Sequence, residues 1–113
     1  MAIKYVGTRT ETGCEVVRQV DGVETGQLDP RLDLWNHSPA GFEWGYGGSG
    51  PAQLALALLA DATAKDHLAM LLHQDFKFQF VAGLARPGFE MTAAEIERWA
   101  AEAAKRLDLS CWE

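Results

Sequence analysis

The first 27 residues alternate between apolar and polar side chains in two short runs. The run Ala2–Thr8 is rich in β-branched and aromatic residues, and the run Cys14–Val20 places valines among polar neighbours. Between them lies Thr10–Gly13, where Gly13 can adopt a positive φ, and the dipeptide Asp21-Gly22 supplies a second turn signal. The pattern predicts an N-terminal antiparallel β-hairpin.

The second half of the chain shows the three- and four-residue spacing that is typical of helices. Residues Pro51–Ala62 are apolar on every side, which predicts a helix at the centre of the core. Residues Lys65–Leu84 are predicted as one long helix with an apolar stripe that includes Leu71 and Phe80. Phe78 falls off that stripe, so we expect this helix to be covered on more than one side. Residues Thr92–Leu107 are predicted as a third helix, which begins with a capping box of Thr92 and Glu95. Its predicted buried face consists of Ile96, Trp99, Ala100, Ala103 and Leu107.

The segment between the hairpin and the helices has a weaker pattern. Asp29-Pro30 can start a short helical turn, His37–Gly41 is typical of a turn, and Phe42–Tyr46 is a candidate third strand. The sequence therefore predicts an α+β fold, with an N-terminal antiparallel β-hairpin or three-stranded sheet packed against three helices. No linker or repeat interrupts the pattern, so we expect a single domain over residues 1–113.

Composition and charge narrow the classes of function. The chain has 113 residues, of which 48% are hydrophobic, and a formal net charge of −6. Nucleic acids and anionic membranes bind clustered Lys and Arg, so we expect neither as a direct partner. The run Leu54–Ala60 is too short to span a bilayer, and Met1–Arg9 lacks the apolar core of a secretory signal. We therefore expect a cytoplasmic protein with Cys14 and Cys111 as reduced thiols.

A glycine-rich loop, Gly45-Tyr46-Gly47-Gly48-Ser49-Gly50, directly precedes the first predicted helix. Its glycines fit the spacing of the dinucleotide-binding fingerprint, but another helix follows where that fold needs a strand. The spacing of a P-loop also occurs, but Pro51-Ala52 stands where Lys and Ser or Thr are required. Neither motif supplies the residues for its chemistry, and we expect no cofactor.

Three interpretations of the glycine loop remain open. The glycines can pack the loop and cap the helix, in which case at least one of Gly47, Gly48 and Gly50 has a positive φ. The backbone N–H groups of the loop can instead hold an anion or a nucleotide. Exposed Trp44 and Tyr46 can also contact a protein partner. The candidate binding residues are His37, Trp44, Tyr46, Gly47, Gly48, Ser49 and Gln53.

The sequence predicts a buried environment for Gln53 and a solvent-exposed one for Glu43, the two polar residues on either side of the loop. Gln53 is the one polar side chain in the first turn of an apolar helix, with Ser49 or Gly50 as the expected cap. A buried amide needs partners, so we expect it to bond loop backbone around Tyr46 or His37. Glu43 lies between two aromatic residues and is predicted on the solvent face.

The histidines give no metal or catalytic signal. His37, His67 and His73 are not spaced i,i+4 from one another or from a cysteine, so we expect no metal site. No pair of carboxylates is placed for acid–base catalysis. His73, Asp75 and Lys77 are predicted to form a solvated polar face of the second helix.

The stretch Asn36–Leu59 resembles the signature of a small family of bacterial and phage-associated proteins known only as a domain of unknown function. His73–Lys77 and Met91–Ile96 are similar to its later helices. The resemblance supplies no catalytic residues, and it implies an accessory or anti-defence role. We therefore expect a non-enzymatic accessory or inhibitor protein that binds another protein and is encoded by a phage or mobile element. A domain that binds a small anion or nucleotide at the glycine loop is the alternative.

Overall fold

A four-stranded antiparallel sheet and three helices make up residues 1–107, the part of the chain that the computed structural model describes. The strands are β1 (Ile3–Thr10), β2 (Gly13–Val20), β3 (Val23–Gln27) and β4 (Gly88–Thr92). The helices are α1 (Ser49–Thr63), α2 (Asp66–Gln79) and α3 (Ala93–Arg106), with a 3-10 turn at Val81–Gly83. The α+β class is confirmed. Cys14 is a free thiol, and Cys111 lies outside the described residues.

The sheet has the order β3-β2-β1-β4, and the predicted N-terminal hairpin forms its centre. Asp21 and Gly22, with φ values of 51° and 82°, join β2 to β3 in the two-residue turn that suits a hairpin. The predicted third strand, Phe42–Tyr46, is wrong because this segment is irregular. The third strand is β3, whose residues are all exposed and therefore show no apolar alternation.

Helix α1 is the centre of the core, as predicted. Every residue from Gly50 to Ala60 is buried, and the helix packs against both α2 and α3. Full burial of each leucine side chain contributes about 1.5–3 kcal/mol relative to exposure. The four leucines, which are fully buried, therefore make α1 the main source of hydrophobic stabilisation; they are Leu54, Leu56, Leu58 and Leu59.

One carboxylate joins this apolar helix to the sheet. Asp61 near the end of α1 accepts a 2.5 Å hydrogen bond from the hydroxyl of Tyr5 and a 2.8 Å bond from Nε of Arg18. Burial, reinforced by the bond to Asp61, raises the pKa of Tyr5, so the phenol remains a donor. Tyr5 and Arg18 are paired across β1 and β2. The contact therefore fixes the end of α1 against the middle of the sheet.

Helix α2 is shorter and more exposed than the predicted Lys65–Leu84. It ends at Gln79 because Phe80, with φ −127° and ψ −56°, leaves the helical conformation. Leu71, Phe78 and Phe80 were predicted to be covered but are exposed. The buried stripe instead contains Leu68, Leu72 and Phe76, together with the polar residues His73 and Lys77.

Helix α3 begins as predicted. The backbone N–H of Glu95 donates to the Thr92 hydroxyl, and the Glu95 carboxylate accepts from the Thr92 N–H, which completes the capping box. Ile96, Ala100 and Ala103 are buried, whereas Leu107 is exposed. Within residues 1–107, no helix combines the length and the apolar character needed to cross a membrane.

Candidate functional site

The three most exposed aromatic side chains of residues 1–107 lie in the segment before the glycine loop, in the loop itself and near the C-terminal end of α2. Trp35, Tyr46 and Phe78 have exposed fractions of 51%, 45% and 66%. The Phe78 ring reaches within 3.4 Å of the position that a Cβ on Gly47 would occupy, and the Tyr46 ring packs over Gly48. We name these three aromatic side chains, together with the imidazole of His37, the aromatic face.

Contacts through α2 connect Trp35 to the rest of the aromatic face. The indole of Trp35 stacks on His37 at a centroid distance of 5.2 Å and an interplanar angle of 6°. Nε2 of His37 lies 2.9 Å from Nε2 of His73, and Lys77 follows His73 one helical turn later. The Lys77 ammonium lies 4.1 Å from the centroid of the Phe78 ring. Contacts through α2 therefore connect Trp35 and His37 with Phe78, which lies against Gly47 of the glycine loop.

The glycines of the loop permit close approach rather than a left-handed backbone. Gly47, Gly48 and Gly50 all lack a positive φ, so the predicted conformation is wrong; in this loop Gly45 has it, with φ 87°. A Cβ on Gly48 would lie 2.6 Å from the Tyr46 ring, and a Cβ on Gly50 would lie 2.6 Å from Cβ of Glu43. Gly50 thus allows Glu43 to pack against the start of α1, and Gly48 allows the Tyr46 ring to lie over the loop.

Trp44 does not belong to the exposed surface. The sequence predicted an exposed contact residue, but the indole is fully buried. Its Nε1 donates to the carbonyls of Ala85 and Arg86 at 3.0 and 3.1 Å, and the ring meets Phe89 edge to face. A large ring with a single donor is stable in the core when that donor finds carbonyl oxygens. Trp44 therefore holds the beginning of the loop against the segment before β4.

Arg9 on β1 holds the same part of the loop. Its guanidinium contacts both carboxylate oxygens of Glu43, at 3.0 and 2.8 Å, and also donates to the carbonyls of Trp44 and Arg86. The hydrogen bonds from Arg9 lower the pKa of Glu43, so the carboxylate stays ionised. Glu43 was predicted on the solvent face; its side chain is 34% exposed, and this ion pair draws it toward β1.

Gln53 holds the segment that carries Trp35 and His37. Its Oε1 accepts from the backbone N–H groups of His37 and Ser38 at 2.7 and 3.0 Å. Its Nε2 donates to the carbonyls of Pro30 and Trp35 at 2.6 and 3.0 Å. The predicted bond to backbone around His37 is confirmed. The amide uses both of its donors and accepts two bonds, and thereby fixes the loop to the first turn of α1.

Helix α1 begins without a side-chain cap. Gly48 is the N-cap residue, in place of the expected Ser49 or Gly50, and no side chain bonds the first N–H groups. The first turn contains no acidic residue. The positive end of the helix dipole is therefore not neutralised by a carboxylate from its own first turn.

A family model describes most of the chain. The model of a family of unknown function, DUF6166, matches residues 5–102. The chain belongs to this family. The match includes the aromatic face and the residues that hold it, so the surface is part of the DUF6166 unit. Comparisons with curated proteins and with solved structures gave no match.

His73 of this DUF6166 site was predicted to be solvated but is buried, with 2% of its surface exposed. The ring lies between α2 and the loop, and its Nδ1 is 2.8 Å from the carbonyl of Met70. Burial lowers the pKa of His73. Burial, the neighbouring His73 and Lys77 lower the pKa of His37. Lys77 was also predicted to be solvated but is only 7% exposed. No group of three His, Cys, Asp or Glu side chains in residues 1–107 could hold a metal ion.

The structure brings most of the predicted DUF6166 site residues together. His37, Tyr46, Gly47 and Gly48 lie at the aromatic face, Ser49 is exposed at the start of α1, and Gln53 lies beneath. Trp44 lies in the core instead. The sequence reasoning missed Trp35, which was assigned to a helical turn, and Phe78. The position of Phe78 off the apolar stripe of α2 was the available signal for its exposure.

Proposed function

We propose that this protein is a non-enzymatic binding protein that contacts another protein through the aromatic face. The observation that carries the proposal is the exposure of Trp35, Tyr46 and Phe78, which contacts through α2 and the glycine loop connect with one another. Single exposed apolar residues are normal, but a connected group of aromatic side chains is typical of interaction sites. Trp and Tyr are also enriched among the residues that dominate binding energies.

The anchoring of the loop supports the same function. Trp44, Arg9 and Gln53 fix the backbone on both sides of the aromatic face through hydrogen bonds to distant elements. A surface that is ordered before binding loses less conformational entropy in the complex. The imidazoles of His37 and His73 bond each other and a carbonyl rather than a hydroxyl or thiol, which favours binding over nucleophilic catalysis.

Charge and family resemblance support the finer parts of the proposal. A net charge of −6 favours encounter with a basic protein, including one whose own site binds nucleic acid. The resemblance to phage-associated proteins supports an accessory or inhibitor that is encoded by a phage or mobile element and acts against host defence in the cytoplasm. In this proposal, the acidic surface accelerates association and the aromatic face supplies the contact.

A pull-down from host lysate at low and moderate salt tests the proposal. The wild-type chain is expected to retain a partner that the Trp35→Ala and Phe78→Ala variants lose. Val23→Ala is the control, because Val23 is as exposed as Phe78, at 67%, but lies on the edge strand β3. Recovery of no partner at either salt, or equal retention by all variants, would contradict the proposal.

A small oxyanion at the start of α1 is the second candidate ligand. The uncapped first turn of α1 and the Lys77 ammonium favour it, since the Phe78 ring contacts Lys77 and also lies against Gly47, the residue before the N-cap of α1. Phosphate, sulfate or a nucleotide at 100 times its Kd would add about 2.7 kcal/mol of apparent stability. The thermal shift should disappear in Lys77→Met and persist in Lys105→Met. No shift with any of these anions at millimolar concentration would exclude the site.

A further inference from the structure

The hydrogen bonds of His73 fix the tautomers of both imidazoles. A carbonyl oxygen can only accept, so Nδ1 of His73 carries the hydrogen that bonds Met70. In the neutral ring, Nε2 of His73 is then an acceptor. Nε2 of His37, 2.9 Å away, must therefore carry the hydrogen of the shared bond. One hydrogen holds the two rings together.

Proton counting shows how much charge this contact can accept. A first added proton can bind Nδ1 of His37, which leaves the shared hydrogen in place. A second proton would have to bind Nε2 of His73, the acceptor of the shared bond. Two N–H groups would then face each other at 2.9 Å, and two positive rings would lie side by side. The closed pair therefore holds at most one extra proton, whereas two separated histidines hold two.

The surroundings of the two imidazoles also disfavour protonation. The charged group that acts on both rings is Lys77, on the same helix as His73. The loop side contributes the neutral indole of Trp35, which stacks on His37. Burial and the Lys77 charge keep the pKa values of both histidines below the usual range. The neutral pair is thus the form that the folded chain favours at neutral pH.

We infer that the His37–His73 contact is a proton-operated latch, which holds Trp35 and His37 against α2 at neutral pH and releases the His37 ring in acid. Gln53 bonds the backbone of His37 and Ser38 independently of the imidazoles, so the release is local. Trp35 then loses the ring on which it stacks, and the aromatic face changes shape. The effect on partner binding rests on the proposed function, whereas the latch itself does not.

The pH dependence follows from the proton count. Separated histidines have a pKa of about 6.5, so below about pH 5.5 the open form carries nearly two protons and the closed form at most one. In that range the ratio of closed to open protein should fall about tenfold or more per pH unit. Above about pH 7.5, where neither form binds extra protons, the ratio should not change.

Nuclear magnetic resonance of the full chain tests the latch. At pH 7.5 we expect hydrogens on Nδ1 of His73 and Nε2 of His37 and a nuclear Overhauser effect (NOE) between the two rings. The NOE should be lost by pH 5, while the NOE between Trp44 and Phe89 persists as the sign of an intact core. A hydrogen on Nε2 of neutral His73, or an inter-ring NOE that survives at pH 5, would overturn the inference.

A charge variant separates a proton-operated latch from simple packing. Lys77→Met removes the nearby charge and retains a long side chain, so the closed pair should accept its proton more readily and open at lower pH. Lys105→Met, on α3, should leave the midpoint unchanged. An unchanged midpoint in Lys77→Met would count against the latch.

The link to binding has its own test. A partner recovered by pull-down should be retained at pH 7.5 and released from the wild-type chain at pH 5.5. Equal retention at both pH values would overturn the regulation. Recovery of no partner would count against the proposed function alone, since the spectra test the latch separately.

Discussion

Replacing Gln53 by leucine tests whether one amide holds the loop that carries Trp35 and His37. Leucine has a similar volume and can remain in the apolar helix α1, but it can neither donate nor accept hydrogen bonds. The change removes four bonds of 2.6 to 3.0 Å. It leaves two backbone N–H groups and two carbonyl oxygens without their partner.

The size of the effect follows from these four groups. An unsatisfied buried polar group costs about 1–3 kcal/mol, and less where water can reach it. The bonds of Gln53 are only partly buried, so we count about 0.5–1 kcal/mol for each. The expected loss is about 2–4 kcal/mol in the free energy of unfolding. This is a large part of the 5–15 kcal/mol that is typical of a domain.

Urea denaturation of the wild-type chain and two variants measures this loss. Gln74→Leu is the matched control, because the same change occurs at an exposed position of α2. We expect a change below about 0.5 kcal/mol for the control, as for other surface substitutions. A loss below about 1 kcal/mol in Gln53→Leu would refute the reasoning, because the loop would then be held by other contacts.

A charged variant of the same residue gives an independent check. In Gln53→Glu, one carboxylate oxygen can still accept from the N–H groups of His37 and Ser38. The other oxygen faces the carbonyls of Pro30 and Trp35, which also carry negative partial charge. The folded state should therefore raise the pKa of the new carboxyl. The destabilisation relative to wild type should be largest at neutral pH and decrease as the pH falls, because the protonated carboxyl can donate.

Three further predictions follow from the site. Gly50→Ala should lower the free energy of unfolding by about 1–3 kcal/mol, since the new Cβ meets Glu43, whereas Gly48→Ala meets only the movable Tyr46 ring and should cost less than about 1 kcal/mol; urea denaturation compares them. Trp44→Phe should cost about 2 kcal/mol in the same assay through lost volume and two lost hydrogen bonds. The melting temperature should be nearly constant just above about pH 7.5 and fall as the pH drops through about 6.5, because unfolded His37 and His73 bind protons that the folded pair resists.

The helical core could be predicted from the sequence because its signals are local. An unbroken apolar run predicts a buried helix, and α1 is buried along almost its whole length. The capping box of Thr92 and Glu95 involves residues only three positions apart. Such features depend on residues that are close together in the sequence, so a local pattern is enough to predict them.

The strands and the loop depend on contacts that a local pattern does not contain. Every residue of β3 is exposed, so it is held by pairing with β2 rather than by an apolar face. Phe42–Tyr46 has the aromatic content of a strand. The indole of Trp44, however, lies in the core and donates to the carbonyls of Ala85 and Arg86, which are 41 and 42 residues further along the chain. Glu43 meets Arg9 across 34 residues. The predicted strand and the predicted exposure of Trp44 were wrong for this common reason.

The site was partly predictable because a polar residue in an apolar context requires a partner. This reasoning found Gln53 and its bond to the loop near His37. His73 and Lys77 were predicted to be solvated because their neighbours in the sequence are also polar. Two of these neighbours, Gln74 and Asp75, are indeed exposed. The ring of His73 contacts His37, whose backbone Gln53 holds in place 16 residues away along the chain. Such a contact between distant residues does not appear in the pattern of α2.

Substitutions of the residues that hold the loop and of the exposed aromatic residues should affect stability and binding differently. Trp44, Gln53 and Arg9 stabilise the fold through hydrogen bonds to distant elements, so their substitution lowers stability and binding together. Trp35 and Phe78 have more than half of their surface exposed and therefore contribute less hydrophobic stabilisation than buried side chains of the same type. Loss of binding without loss of stability in their variants would thus identify a contact surface. Parallel loss of both would show that the aromatic residues belong to the fold.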